Sequence, residues 1–104
     1  MRELDKIIQG RGEVKGFTFT QIKKSPYAYI YEQKWTSTGQ VRAYEVFERR
    51  ENTQFNCVSY PKANSFGVWA YSVKTIERAE EIFNILNESG KEKEERKNQE
   101  SNKE

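Results

Sequence analysis

The chain lacks histidine, and it has one cysteine, Cys57, among its 104 residues. Without histidine it has neither the commonest general base nor the commonest metal ligand. One thiol cannot form an internal disulfide or a multi-thiolate zinc site. The carboxylates in the central part of the chain are scattered among basic residues, whereas metal-dependent nucleases need them clustered. The sequence therefore predicts a protein that is not an enzyme, with no catalytic residues, no cofactor and no metal site.

Long apolar runs are also missing. No segment approaches the length of a membrane span, and the first ten residues do not resemble a signal peptide. Together with the single cysteine, this pattern favours a reducing, cytoplasmic location with no membrane partner.

The last part of the chain has no large apolar side chain. From residue 90 it reads GKEKEERKNQESNKE, with five basic and five acidic residues from Lys91 onward. Such a segment cannot bury enough apolar surface to offset the entropy lost on ordering. We therefore predict a single domain over residues 1–90 and a disordered charged tail over residues 91–104. Gly90 is the expected stop of the preceding helix.

Aromatic residues, in contrast, are plentiful: the chain has six tyrosines, six phenylalanines and two tryptophans. Runs of alternating apolar and polar residues, separated by turn residues, predict β-strands. Five strands are predicted, over residues 13–23, 27–35, 41–50, 54–60 and 66–71. Residues 1–9 place Leu4, Ile7 and Ile8 at helical spacing, which suits a short helical turn or a docked extended arm.

An amphipathic helix is predicted after Ser72, capped by Ser72 or Thr75. Its apolar stripe consists of Ile76, Ala79, Phe83 and Leu86, widened by Ile82 and Ile85. The predicted fold is therefore α+β, with a five-stranded antiparallel meander sheet and one C-terminal helix packed on one face. A helix of about 15 residues spans roughly 22 Å. Because it cannot cover both faces of such a sheet, we expect some aromatic residues to be exposed or covered by a partner.

The predicted sheet is both aromatic and basic. Tyr27, Tyr29, Tyr31 and Trp35 share one face of one strand, and residues 11–62 contain nine basic and five acidic residues, a surplus of four. Rings on which bases stack, combined with positive charge, bind single-stranded nucleic acid. The alternative is that these aromatics are ordinary core residues making cross-strand pairs. The predicted nucleic-acid-binding residues are Tyr27, Tyr29, Tyr31, Trp35, Lys23, Lys24, Lys34, Arg42, Arg49 and Arg50.

The order of elements, with Phe66-Gly67-Val68-Trp69 leading into a helix over residues 76–87, resembles the single-strand-binding domains of the PC4 and Whirly type. That resemblance implies binding of single-stranded DNA or RNA. The lysine-rich turn of those domains is replaced here by Pro61-Lys62-Ala63-Asn64, which has one lysine. The small size, dense aromatics and charged tail also resemble small phage or mobile-element proteins.

A protein-binding module is the competing hypothesis. An aromatic patch with a basic rim is typical of protein interfaces, where Tyr, Trp and Arg act as anchors. A small phage-type protein of this kind could occlude a host protein, such as a nuclease of a defence system. Mimicry of DNA is disfavoured because the predicted sheet is basic. A homodimer that buries its second sheet face is compatible with either function.

Overall fold

The computed structural model describes the backbone of residues 1–101 and the side chains of residues 1–97. Seven strands precede one helix: Ile7–Gln9 (β1), Phe17–Lys24 (β2), Ala28–Trp35 (β3), Val41–Glu48 (β4), Glu51–Asn52 (β5), Cys57–Val58 (β6), Ala70–Val73 (β7) and Ile76–Ser101 (α1). Five strands form an antiparallel sheet in the order β1-β2-β3-β4-β7, and β5 pairs with β6 in a separate hairpin. The predicted α+β class, with its five-stranded antiparallel sheet and C-terminal helix, is confirmed.

Alternation along the central strands gives the sheet two apolar faces. The aromatic face carries Phe17, Phe19, Tyr29, Tyr31 and Phe47, all buried. The helix face carries Ala28, Ile30 and Val46, which are also fully buried. The register aligns Tyr29 with Phe47 and Ile30 with Val46, so each face is continuous between β3 and β4.

Helix α1 packs against the helix face. Its N-terminus is capped by Thr75, whose Oγ1 accepts a hydrogen bond of 3.2 Å from the backbone N–H of Arg78. Ala79, Ile82 and Phe83 are buried against the sheet, as the predicted stripe requires. Ile85 is 61% exposed, so its predicted place in the stripe is wrong; the contact is centred on Ala79 and Phe83.

The aromatic face is covered by the chain itself. Leu4 and Ile8 reach it from the N-terminal segment, and the connection between β5 and β7 contributes Val58, Tyr60, Phe66 and Trp69. Some aromatic residues are exposed, as expected: Trp35 is 42% and Phe55 is 70% exposed. The buried rings of the aromatic face, however, are covered by the chain itself. One helix indeed covers one face, but two irregular segments cross the other.

Four predicted elements differ from the structure. The predicted strand over residues 13–23 begins only at Phe17, after a short 3-10 helix over Gly12–Val14. Residues 7–9 of the N-terminal segment are extended, so the predicted arm is confirmed and the alternative of a helical turn is wrong. The arm pairs with β2, with Ile8 opposite Phe19, and this pairing supplies its backbone hydrogen bonds. The predicted strand over residues 54–60 shortens to β6, which lies over the aromatic face outside the main sheet. The predicted strand over residues 66–71 begins only at Ala70, because Gly67, with φ of +89°, forms a turn before it.

Gly90 does not end the helix, which continues to Ser101. A Cβ at position 90 would lie 2.7 Å from Cγ of Tyr27, so the glycine allows the ring to pack against the helix. The next turn is held to the sheet by a hydrogen bond from the Tyr27 hydroxyl to Glu94 and by Lys93, whose Nζ lies 3.7 Å from Glu48. Residues 91–97, the first part of the predicted tail, are therefore helical, and residues 102–104 of that tail lie outside the described residues.

Within the part of the chain that the structure describes, no helix combines the length and apolarity needed to cross a membrane.

Candidate functional site: a groove beside strand β1

The central tyrosines of the predicted binding surface are inaccessible. Tyr29 and Tyr31 have no exposed surface, so no base can stack on them, and their prediction as an open platform is wrong. Their hydroxyls are used inside the protein: Tyr29 donates a hydrogen bond of 2.9 Å to Glu3, and Tyr31 donates one of 2.7 Å to the backbone oxygen of Asp5. These bonds tie the N-terminal segment over the aromatic face.

The other predicted binding residues lie at opposite ends of the sheet. Lys34, Trp35 and Arg42 are at the end where Phe17 pairs with Trp35. The opposite end holds Lys23, Lys24, Tyr27, Arg49 and Arg50. Eight-residue strands at about 3.3 Å per residue separate the two ends by roughly 20 Å. The structure does not bring the predicted residues into one surface.

Most of the predicted basic residues are paired with carboxylates. Lys23 lies 4.0 Å from Glu80, and Lys34 lies 3.0 Å from Glu32. Arg50 likewise lies 3.3 Å from Glu48. Each pair reduces the positive charge that a phosphate would meet at these side chains.

Arg49 has a structural role. Its Nη1 donates hydrogen bonds of 2.5 Å to Glu3 and 2.6 Å to the Tyr29 hydroxyl. The hydrogen bond from Arg49 lowers the pKa of Glu3 below its ordinary value. Burial, followed by the hydrogen bond to Glu3, raises the pKa of Tyr29 to about 12. Arg49 therefore anchors the N-terminal segment and is not free to bind phosphate.

A groove of about 850 Å³ opens on the same side of the sheet. Its walls are the N-terminal segment over residues 5–14 and the loop over residues 60–66, and its floor includes Phe19 and Glu45. Ligand pockets in proteins usually measure about 300–1,000 Å³ and are mainly apolar with a few placed polar groups. The groove has this character, with apolar lining from Ile8, Val14, Pro61 and Phe66.

Glu45 is the buried polar group of this groove. It is only 8% exposed, and its Oε1 accepts a hydrogen bond of 2.5 Å from the Tyr60 hydroxyl. Among the described residues, Oε2 has no hydrogen-bond partner. Burial raises the pKa of Glu45, although the bond from Tyr60 acts in the opposite direction. Burial, and then the charge of Glu45, raise the pKa of Tyr60.

Sequence reasoning missed Glu45 as a site residue, although one signal was present. Alternation along β4 places Glu45 on the same face as Phe47, and therefore inside the protein. A carboxylate at an inward-facing position is unusual unless it is paired or functional.

Strand β1 forms one wall of the groove and one edge of the sheet. Just beyond each end of β1, a backbone hydrogen bond joins the chain to β2. The N–H of Gly10 donates to the carbonyl oxygen of Phe17 (2.8 Å), and the carbonyl oxygen of Lys6 accepts from the N–H of Gln21 (2.7 Å). Because antiparallel ladders alternate, the backbone groups of Ile7 and Gln9 point away from β2. The side chain of Ile7 is 61% exposed. The edge is thus open to a further strand.

Comparison with known proteins finds no matching family model, no matching curated protein and no matching solved structure. Within the described residues, no group of three or more Cys, Asp or Glu side chains is arranged to hold a metal ion.

Proposed function

We propose that this chain is a non-catalytic, cytoplasmic interaction module that binds an extended segment of a partner protein along β1. The observation that carries the proposal is the open edge of β1 beside an apolar groove. In strand addition, backbone hydrogen bonds to a sheet edge supply affinity, and a neighbouring pocket for side chains supplies specificity. A host protein occluded by the domain is a partner of this class.

The two sheet edges differ in a way that favours β1. The opposite edge is β7, and none of its residues lines the groove. A strand added to β7 would gain backbone bonds without this apolar pocket. A strand added to β1 would place every second side chain over the groove, next to Ile8 and Phe66.

Selection from a random-peptide display library against the full chain tests this function. Ala63 lines the groove and is exposed, so Ala63→Trp should fill the groove without disturbing the core. Its neighbour Asn64 is also exposed but does not line the groove, which makes Asn64→Trp the matched control. Selected peptides should bind Ala63→Trp at least tenfold more weakly than the wild type and should bind Asn64→Trp normally.

Strand addition has its own signature in the peptide. N-methylation of alternate residues removes every second backbone donor, so one methylation register should abolish binding while the other should not. The proposal fails if no peptide is enriched, or if the enriched peptides bind Ala63→Trp as well as they bind the wild type.

A second candidate function is single-strand nucleic-acid binding at the Trp35 end of the sheet. The Trp35 side chain is 42% exposed, and its ring lies 4.2 Å from that of Phe17. The guanidinium of Arg42 lies over the other ring of this pair, 5.0 Å from the Phe17 centroid. One exposed ring beside positive charge, with Lys34 nearby in sequence, is a smaller stacking site than the four-ring row expected from sequence.

Fluorescence anisotropy with oligo(dT) and with duplex DNA at low salt tests this second candidate. Trp35→Ala should weaken single-strand binding by about 1–3 kcal/mol, the usual contribution of one stacked base. Phe55→Ala, which removes another exposed ring, should have no effect. Arg42→Gln should reduce the salt dependence. Equal binding of single strands and duplex would contradict stacking.

A further inference from the structure

We infer that Glu45 recognises a cationic side chain, a lysine or an arginine of the segment bound in the groove. The inference rests on the proposed function and names the chemistry of the bound residue. Glu45 lies in the floor of the groove, and its Oε2 has no hydrogen-bond partner within the described part of the chain. One carboxylate oxygen is therefore fixed by Tyr60, and the other is available to a ligand.

A buried carboxylate is costly to ionise unless an opposite charge lies beside it. Among the side chains of residues 1–97, no basic group forms an ion pair with Glu45; the groove's own basic residues, Arg11 and Lys62, are both exposed. A cationic group entering the groove would supply the missing charge and favour the ionised form. The groove therefore favours binding of a ligand that carries a positive charge at the end of an apolar stem.

The lining of the groove suits such a side chain. Its carboxylates, Asp5, Glu13 and Glu45, outnumber its two basic residues. The rings of Phe19, Tyr60 and Phe66 provide apolar surface for the methylene stem of a lysine or arginine and a favourable electrostatic environment for its charge. Tyr31, on the neighbouring strand, lies opposite Glu45 and next to Tyr60 but directs its hydroxyl to Asp5.

Two isosteric probes isolate the charge: n-pentylamine and n-pentanol, titrated into the ¹⁵N-labelled full chain and followed by NMR. The amine should shift the amide signals of the groove residues and bind at least tenfold more tightly than the alcohol at neutral pH. Glu45→Gln keeps the shape of the side chain and an acceptor for Tyr60 but removes the charge. This variant should bind the two probes equally.

The pH dependence gives a second readout. Affinity for the amine should rise with pH as Glu45 loses its proton, and the rise should disappear in Glu45→Gln. The carboxylates of Asp5 and Glu13 also line the groove, so Asp5→Asn and Glu13→Gln serve as controls that should retain the rise. Loss of the pH dependence in these controls but not in Glu45→Gln would assign the effect to Asp5 or Glu13 and overturn the inference.

The peptide selection separates this inference from the function on which it rests. Enriched peptides should share a lysine or arginine, and selection on Glu45→Gln should lose that preference. Peptides that bind at the groove without a basic residue would overturn the role of Glu45 and leave the proposed function standing. Amine binding without any enriched peptide would support Glu45 as a cation site and overturn the peptide function. Failure of both would overturn both.

Discussion

The ring of Tyr27 lies against Gly90, where a Cβ would stand 2.7 Å from its Cγ and 2.8 Å from its Cβ. The hydroxyl of the same tyrosine donates a hydrogen bond to Glu94, one turn further along the helix. The ring of Tyr27 therefore packs across α1 at Gly90, the only glycine of that helix. This contact explains how a charged segment with no apolar residue continues as helix beyond the sheet.

Gly90→Ala should reduce stability, although the same change at an open helical position stabilises by about 1 kcal/mol. The cause is the clash with Tyr27, which must move away from the helix. In a Tyr27→Gly background, which removes both the ring and its Cβ, Gly90→Ala should stabilise by about 1 kcal/mol. Urea denaturation of the four proteins measures the change of sign. Stabilisation in both backgrounds would mean that Tyr27 does not pack on Gly90.

Phe83→Ala should cost about 3–5 kcal/mol of unfolding free energy, because the ring is buried at the centre of the helix–sheet contact. Ile85→Ala lies two residues further along the same helix, but its side chain is largely exposed, so it should cost less than about 1 kcal/mol. Denaturant unfolding of the two variants checks the orientation of the helix. Similar losses at both positions would contradict it.

Glu45→Gln should alter how stability depends on pH. Burial raises the pKa of Glu45 in the folded state, so its contribution to stability is fully present below its unfolded pKa and is lost as pH rises through the folded pKa. The free energy of unfolding of Glu45→Gln, relative to the wild type, should therefore increase with pH above about 4.5 and then level off. Thermal or urea unfolding between acid and neutral pH measures this difference. A constant difference would show that Glu45 is not buried as described.

Arg49→Gln should cost about 1.5–3 kcal/mol, the range for hydrogen bonds to charged groups, because it releases Glu3 and the Tyr29 hydroxyl together. Arg78→Gln removes an exposed pair with Glu81 on the helix and should cost less than about 0.5 kcal/mol. Hydrogen exchange of residues 2–9 should accelerate only in Arg49→Gln. Unchanged exchange there would show that Arg49 does not anchor the N-terminal segment.

The pKa of Glu3 adds a pH signature to this anchor. Because it is lowered in the folded state, the stability it contributes is present above its unfolded pKa and is lost as pH falls through the folded pKa. Local exchange of the N-terminal segment should therefore increase on acidification, and Glu3→Gln should remove the pH dependence of that exchange.

Local patterns in the sequence predicted most elements because they depend on neighbouring residues. Alternation along the predicted strand over residues 27–35 places Tyr29, Tyr31 and Trp35 on one face, as the structure confirms, but Tyr27 packs against Gly90 of α1 instead of sharing that face. The helical spacing of Ala79 and Phe83 is also confirmed. The same patterns failed for residues 54–60. That segment contributes only a two-residue strand, and its place over the aromatic face depends on contacts far along the chain.

The sequence by itself determined that the chain would form an antiparallel sheet with two apolar faces and one helix too narrow to cover both. Periodicity carries that information because it is a property of consecutive residues. Tertiary structure alone decided what covers the second face, that Gly90 serves close packing rather than a helix stop, and that Glu45 lies in the floor of a groove. Each of these depends on which distant segments meet in the folded chain. A tyrosine in a strand can be a core residue or a binding residue, and only its burial in the tertiary structure shows which of the two it is.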